Sequence, residues 1–492
     1  MKKFLLILFL STFSLHSEED ASITEKSSVT EHSATIGDKL IEYKATTGTL
    51  ILKDQKGLPQ ASIYYTAYTK IGEDQNTRPV TFCFNGGPGA ASIWLHMGAF
   101  GPKRCAVTDE GIAVKPYRLE ENPYSILDLT DLVFIDPVST GFSKPAKDVD
   151  PNQFYTSDGD VESIARFIQL WTNRHNRYLS PKFLAGESYG TTRAALLADH
   201  LLSKCSYNID GIVLVSTILD FQSTFGSIDY TYAFYLPSFT ATAWKHNMLS
   251  SELQEMPLAE VLKIATEFAN GPYINALFQG DLLPPEKYEE ILQKLSYFTG
   301  ISTKFLDYAN LRLESNVFRK KLLQDNQLKV GRMDSRITGI EVDQLVNMEM
   351  QKSFSDPSIL CIDQAYKATF NHYVKNELLW EEDYDYKIIN FNVNRAWVFA
   401  NSSWQGFSVV DSFKVAMQKN PDLKVFVASG IYDLAIPINS VYFTFSHMNF
   451  NDEMRSRITM EDYEAGHMMY THKPSLIKFK EDLKNYYEKA LN

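Results

Sequence analysis

The chain has 492 residues, 44% of them hydrophobic and 22% charged, with a net charge of −12. Such length and composition are those of an ordinary globular protein, either one large domain with an insertion or two to three domains. The negative charge disfavours nucleic acid and anionic membrane as partners.

The N-terminus reads as a secretory signal. Lys2 and Lys3 precede an unbroken apolar run at residues 4–10, too short to span a bilayer, and Ser17 offers a small residue for cleavage. Residues 1–17 are therefore expected to be removed, giving an exported, periplasmic or extracellular protein without stable membrane insertion; an uncleaved anchor is the alternative. Residues 18–35 are polar, rich in Ser and Thr, and read as a mobile leader. Between residues 39 and 70, alternating segments predict an antiparallel meander with a turn at Gly57.

Short apolar runs follow at residues 80–84, 132–135, 183–185, 212–215 and 424–428. Each reads as a buried parallel strand, and helical stretches such as 161–172 and 191–202 alternate with them. That order predicts an α/β sheet with helices on both faces. Residues 222–385 carry helical segments, for example 258–269 and 286–297, and no convincing buried strand. They are expected to form a mostly helical cap between two core parts, 36–221 and 386–492, ending in a helix over 475–491. Four cysteines, Cys83, Cys105, Cys205 and Cys361, allow three full pairings, although Cys83 lies within an apolar strand pattern that suits a buried thiol. No C-x-x-C is present, so a metal or redox reading has little support.

The chemistry centres on Gly186-Glu187-Ser188-Tyr189-Gly190, a G-x-S-x-G sequence between a strand pattern and a helix pattern. That context is a nucleophile elbow. It exposes Ser188 at a strand end and sets the Tyr189 N–H beside a developing oxyanion. A serine nucleophile needs a base and an orienting carboxylate, in chain order Ser, Asp or Glu, His. Of ten histidines, six follow Ser188. His467 stands out because Ala465-Gly466 before it would let a loop approach the serine. Asp433 is the best carboxylate, since it follows the strand ending at Ala428, and α/β sheets place chemistry beyond strand C-termini. Either residue alone would more often be structural; the order and the strand-end position join them. Asn85-Gly86-Gly87-Pro88-Gly89, directly after the strand at 80–84, keeps side chains away from its backbone and can aim an N–H into a cavity as a second oxyanion donor.

Four segments together resemble the serine carboxypeptidase family of α/β-hydrolases: residues 85–92, residues 136–143 (DPVSTGFS), residues 186–190, and Ala465-Gly466-His467-Met468. Asp433 falls where that family keeps its acid, and residues 463–470 are similar to the bacterial branch especially. The resemblance implies an α/β-hydrolase fold with a mostly parallel central sheet and a helical cap insertion. It implies Ser188, Asp433 and His467 as the triad, the Gly87 and Tyr189 N–H groups as the oxyanion hole, and Asn85 and Glu187 as binders of a peptide's C-terminal carboxylate. Two departures matter. Ala90 replaces a disulfide cysteine of eukaryotic relatives, and Ala99 replaces a second glutamate, removing a partner for Glu187. The expected function is release of C-terminal residues from peptide or protein substrates through an acyl-enzyme, without cofactor or metal. An esterase or acyltransferase on the same machinery, and a non-catalytic binding protein on a hydrolase fold, are the alternatives.

Overall fold

The computed structural model describes residues 23–225, 228–341, 356–399 and 403–492. The expected signal at 1–17 lies outside the described residues. Among the described residues the central sheet has ten strands, a short one at Lys144–Pro145 that pairs only with the third and nine that run in series: β1 (Ser27–Ile36), β2 (Lys39–Lys53), β3 (Pro59–Lys70), β4 (Val80–Phe84), β5 (Asp131–Ile135), β6 (Lys182–Glu187), β7 (Gly211–Val215), β8 (Lys424–Gly430) and β9 (Ile458–Tyr463). Their spatial order is β1-β2-β3-β5-β4-β6-β7-β8-β9. The first three form an antiparallel meander, with β3 antiparallel to β5. From β5 onward every pairing is parallel. Strands β4, β5 and β7 are buried at every position, as a sheet covered on both faces requires.

Residues 27–35 are not a mobile leader, because β1 pairs with β2 over ten registered residue pairs. Its inward positions begin with the half-buried Ser28, Thr30 and His32 before reaching buried Ala34 and Ile36. Ring stacking of His32 on Tyr43 supplies apolar contact that the polar composition conceals.

Helices cover the two faces. Helix α1 (Ser157–Arg174) starts at Thr156, whose hydroxyl accepts the Gly159 N–H at 2.9 Å, with Asp158 and Asp160 in the positive first turn. It packs beside α2 (Tyr189–Cys205), which leaves the elbow, through Ile164, Phe167, Ala194 and Leu197. The opposite face is covered by the last helix (Lys473–Leu491) through Leu476, Phe479 and Leu483.

Packing divides the 222–385 stretch. Helices Asp229–Lys245, Leu258–Phe268 and Pro285–Thr299 share their own core, with Phe239, Phe268, Phe298 and Phe318 inside it. A two-stranded hairpin, Leu328–Val330 with Thr338–Ile340, follows. Helix Asp363–Asn376 instead presents Tyr366, Phe370 and Tyr373 to the sheet core. All four cysteines are free thiols, and buried Cys83 donates to the Thr81 carbonyl at 3.7 Å. Among the described residues no helix is long and apolar enough to cross a membrane.

Candidate active site

Strand register brings the chemistry to one edge. Phe84 pairs with Gly186, Val215 with Glu187, and Gly430 with Tyr463. The residues that follow β4, β6, β8 and β9 therefore emerge at the same C-terminal edge, and they carry Asn85, Ser188, Asp433 and His467.

Ser188 adopts φ 59° and ψ −128°, a conformation that costs a non-glycine residue about 1–3 kcal/mol. Its N–H donates to the Val215 carbonyl at 2.9 Å, which holds the bend against the neighbouring strand. The flanking glycines are needed for space. A Cβ on Gly186 would lie 2.1 Å from the Gly190 oxygen, and one on Gly190 would lie 2.8 Å from the Phe84 oxygen. Ser188 is half-buried and faces a cavity of about 1040 Å³.

His467 is held from three sides. Its Nδ1 bonds Asp433 Oδ2 at 2.6 Å, its backbone N–H donates to the Met333 carbonyl at 2.6 Å, and its carbonyl accepts from the Ser216 hydroxyl at 2.6 Å. Asp433 Oδ1 accepts the N–H groups of Ala435 and Ile436 at 2.7 and 3.0 Å. An Asp433 carboxylate fixes the Nδ1–H tautomer, leaving Nε2 as the basic nitrogen. Burial alone would lower the imidazole pKa, but the Asp433 charge and hydrogen bond outweigh it and raise it above the ordinary value.

Asn85, Gly87, Glu187, Ser188, Tyr189 and His467 line the one cavity, and buried Asp433 stands behind His467. The Gly87 and Tyr189 segments are packed tightly together. A Cβ on Gly86 would sit 2.5 Å from the N atoms of both Tyr189 and Gly190. Gly87 has φ +102°, which a glycine adopts without strain. Tyr189 is the first residue of α2, so its N–H has no carbonyl within its own helix to bond.

Glu187 is 3% exposed. Burial is the main cause that pushes its pKa up to about 7, opposed by the His467 charge, the Tyr470 hydroxyl and the nearby Asn85 amide. Asn85 Oδ1 accepts the Leu95 N–H at 3.1 Å, while its buried Nδ2 has no hydrogen-bond partner among the described residues.

Sequence reasoning missed Tyr470, which donates to Glu187 Oε2 at 2.6 Å. The only signal was its place three residues after His467. It supplies a hydroxyl to one oxygen of the buried Glu187 carboxyl. Its ring and the Tyr366 hydroxyl also crowd Gly98, where a Cβ would meet each at 2.6 Å.

Comparison with known proteins gives a consistent result. The family model described as serine carboxypeptidase matches residues 39–480. Serine carboxypeptidase-like 33 of Arabidopsis thaliana is 27% identical over 206 residues, covering 39% of each chain. The lysosomal protective protein of Mus musculus is 27% identical over 174 residues, covering 34% of each. The matched segments thus span less than half the length of these relatives. Among solved structures, the prohormone-processing carboxypeptidase Kex1(delta)p of Saccharomyces cerevisiae superposes with a TM-score of 0.57. It is 17% identical, with 91% of both chains covered, and at that identity the likeness establishes the α/β-hydrolase fold. With the family model matched over nearly its whole length, the chain belongs to the serine carboxypeptidase family.

Proposed function

We propose that the protein is a serine carboxypeptidase that removes C-terminal residues from peptides through an acyl-enzyme on Ser188. His467 Nε2 takes the Ser188 proton as Oγ attacks the last peptide carbonyl. Asp433 stabilises the imidazolium, and the Gly87 and Tyr189 N–H groups receive the oxyanion. His467 then protonates the departing amine, and water activated by the same nitrogen releases the acyl group.

The observation that carries the exopeptidase reading is the pair beside the nucleophile. Asn85 Nδ2 is a buried donor that lies beside Glu187 without a well-formed hydrogen bond, and burial raises the Glu187 pKa to about 7. Both can donate to a substrate carboxylate, and a donor buried without a partner costs about 1–3 kcal/mol until a ligand satisfies it. Tyr470 orients the Glu187 carboxyl. With its O–H directed to Oε2, the carboxyl proton is left to Oε1, the oxygen free to face a ligand. Residues 1–17 are read as an export signal, which places the mature enzyme outside the cytoplasm.

Digestion of a defined peptide mixture, with products weighed by mass spectrometry, tests this reading. Free-acid peptides should lose residues one at a time from the C-terminus while their C-terminal amides persist. Internal cleavage, or equal turnover of acids and amides, would remove carboxylate recognition from the account.

A further inference from the structure

We propose that Arg332 is a specificity residue that receives an acidic side chain from one of the two substrate residues flanking the scissile bond. The inference rests on the carboxypeptidase reading and names its preferred substrate class.

Arg332 is half-buried in the wall of the cavity that Ser188 and His467 line. Its backbone is fixed tightly. The N–H donates to the Asp356 carboxylate at 3.0 and 3.1 Å, and the carbonyl accepts the Leu434 N–H at 3.0 Å. The next carbonyl, of Met333, accepts the His467 N–H. Arg332 is thus tied to the residue after Asp433, and its neighbour to His467. Arg332 thus lines the cavity on a segment bonded on both sides to the loops that carry Asp433 and His467.

The guanidinium forms no hydrogen bond or ion pair among the described residues. Other cations of the cavity wall are engaged. Arg319 lies 3.9 Å from Asp356, Lys329 3.2 Å from Glu341, and Lys367 2.8 Å from Asp385. Lys387 lies over the Tyr384 ring, and Arg395 donates to Asn392. In a chain of net charge −12, an uncommitted arginine in a concave, partly shielded wall attracts an anion. The substrate's main-chain carboxylate is already matched to Asn85 and Glu187, which leaves an acidic side chain for Arg332.

The test uses free-acid peptides that differ only as Glu or Gln at the last position or at the one before it. Initial rates at one fixed pH give the Glu-to-Gln ratio of kcat/KM. This ratio cancels any change in His467 basicity, because both substrates share the base. At one of the two positions the wild type should prefer Glu by about fivefold, the scale of a partly shielded ion pair. Arg332→Gln should bring that ratio to about one, and Arg332→Lys should retain most of it. Fluorophosphonate labelling of each variant reports an intact fold independently of the substrate. A wild-type ratio near one at both positions overturns the proposal while single-residue trimming of either peptide leaves the carboxypeptidase reading standing. An equal loss on Glu and Gln peptides in Arg332→Gln also overturns it, by assigning Arg332 to the main-chain carboxylate. A wild type that trims no free-acid peptide sinks both readings.

Discussion

In the proposed mechanism Glu187 binds a carboxylate ligand only while protonated, and His467 acts as a base only while neutral. The first condition is met below the Glu187 value of about 7 and fails as pH rises through it. The second is met as pH rises through the His467 value, which Asp433 raises above its ordinary value against the effect of burial. The two limbs close on each other, so kcat/KM for free-acid peptides should form a narrow bell near neutrality. Glu187→Gln keeps a donor that cannot ionise, so its activity on free acids should fall less steeply on the alkaline side. Esters and amides, which bring no negative charge, should change little. Tyr470→Phe removes a hydrogen bond that favours the ionised carboxyl, and should move the alkaline limb upward. Profiles of wild type and Glu187→Gln that coincide on free-acid peptides would make Glu187 structural. At this scale Ser188 was legible because the elbow's spacing is set by one strand and one turn, whereas Asn85 and Glu187 were named only through the family resemblance. Asp433 and His467 were legible through chain order and their place near strand ends. Tyr470 was not, because its meeting with Glu187 is fixed by how the loop after His467 packs across the sheet edge.

Elements matter here through how closely their ends approach. Gly86 lies against the backbone of Glu187, Tyr189 and Gly190, none of which can rotate away from an added methyl. Gly86→Ala should therefore separate the β4 loop from the elbow, lowering kcat/KM on the order of a hundredfold, the scale of losing one oxyanion donor. Steady-state kinetics of a variant that still takes up the fluorophosphonate label checks this, and wild-type turnover would contradict it. Arg193 of α2 ties the same elements from beneath. Fully buried, it donates to Asp160 Oδ2 of α1 at 2.7 Å and to the Asn85 carbonyl at 2.6 Å. Asp160→Ala would leave that charge unpaired, and chemical denaturation should show a loss of about 3–5 kcal/mol. A loss under 1 kcal/mol would show that the pair is dispensable. The central strands were legible as apolar runs because both faces of the sheet are covered. Strand β1 was concealed by Ser, Thr and His at inward positions, and β9 by its half-buried edge position, where Thr459, Glu461 and Asp462 break the apolar pattern.

For the whole molecule, residues of the sheet core and of the helical insertion together line a cavity of about 1040 Å³. The insertion's helices were legible from their 3.6-residue period. Their division between two cores was not, because amphipathic spacing identifies a buried face without naming what covers it; helix Asp363–Asn376 turns its face to the sheet. The core needs no covalent staple, since all four thiols are unpaired. Alkylation of denatured, unreduced protein should thus add four groups, and an intact mass showing two would reveal a disulfide. The most direct test of the central claim is titration with a fluorophosphonate, following residual peptide hydrolysis against adduct mass. Activity should fall in proportion to a single adduct that maps to Ser188. Full hydrolysis by protein carrying that adduct, or inactivation by an adduct elsewhere, would contradict the account.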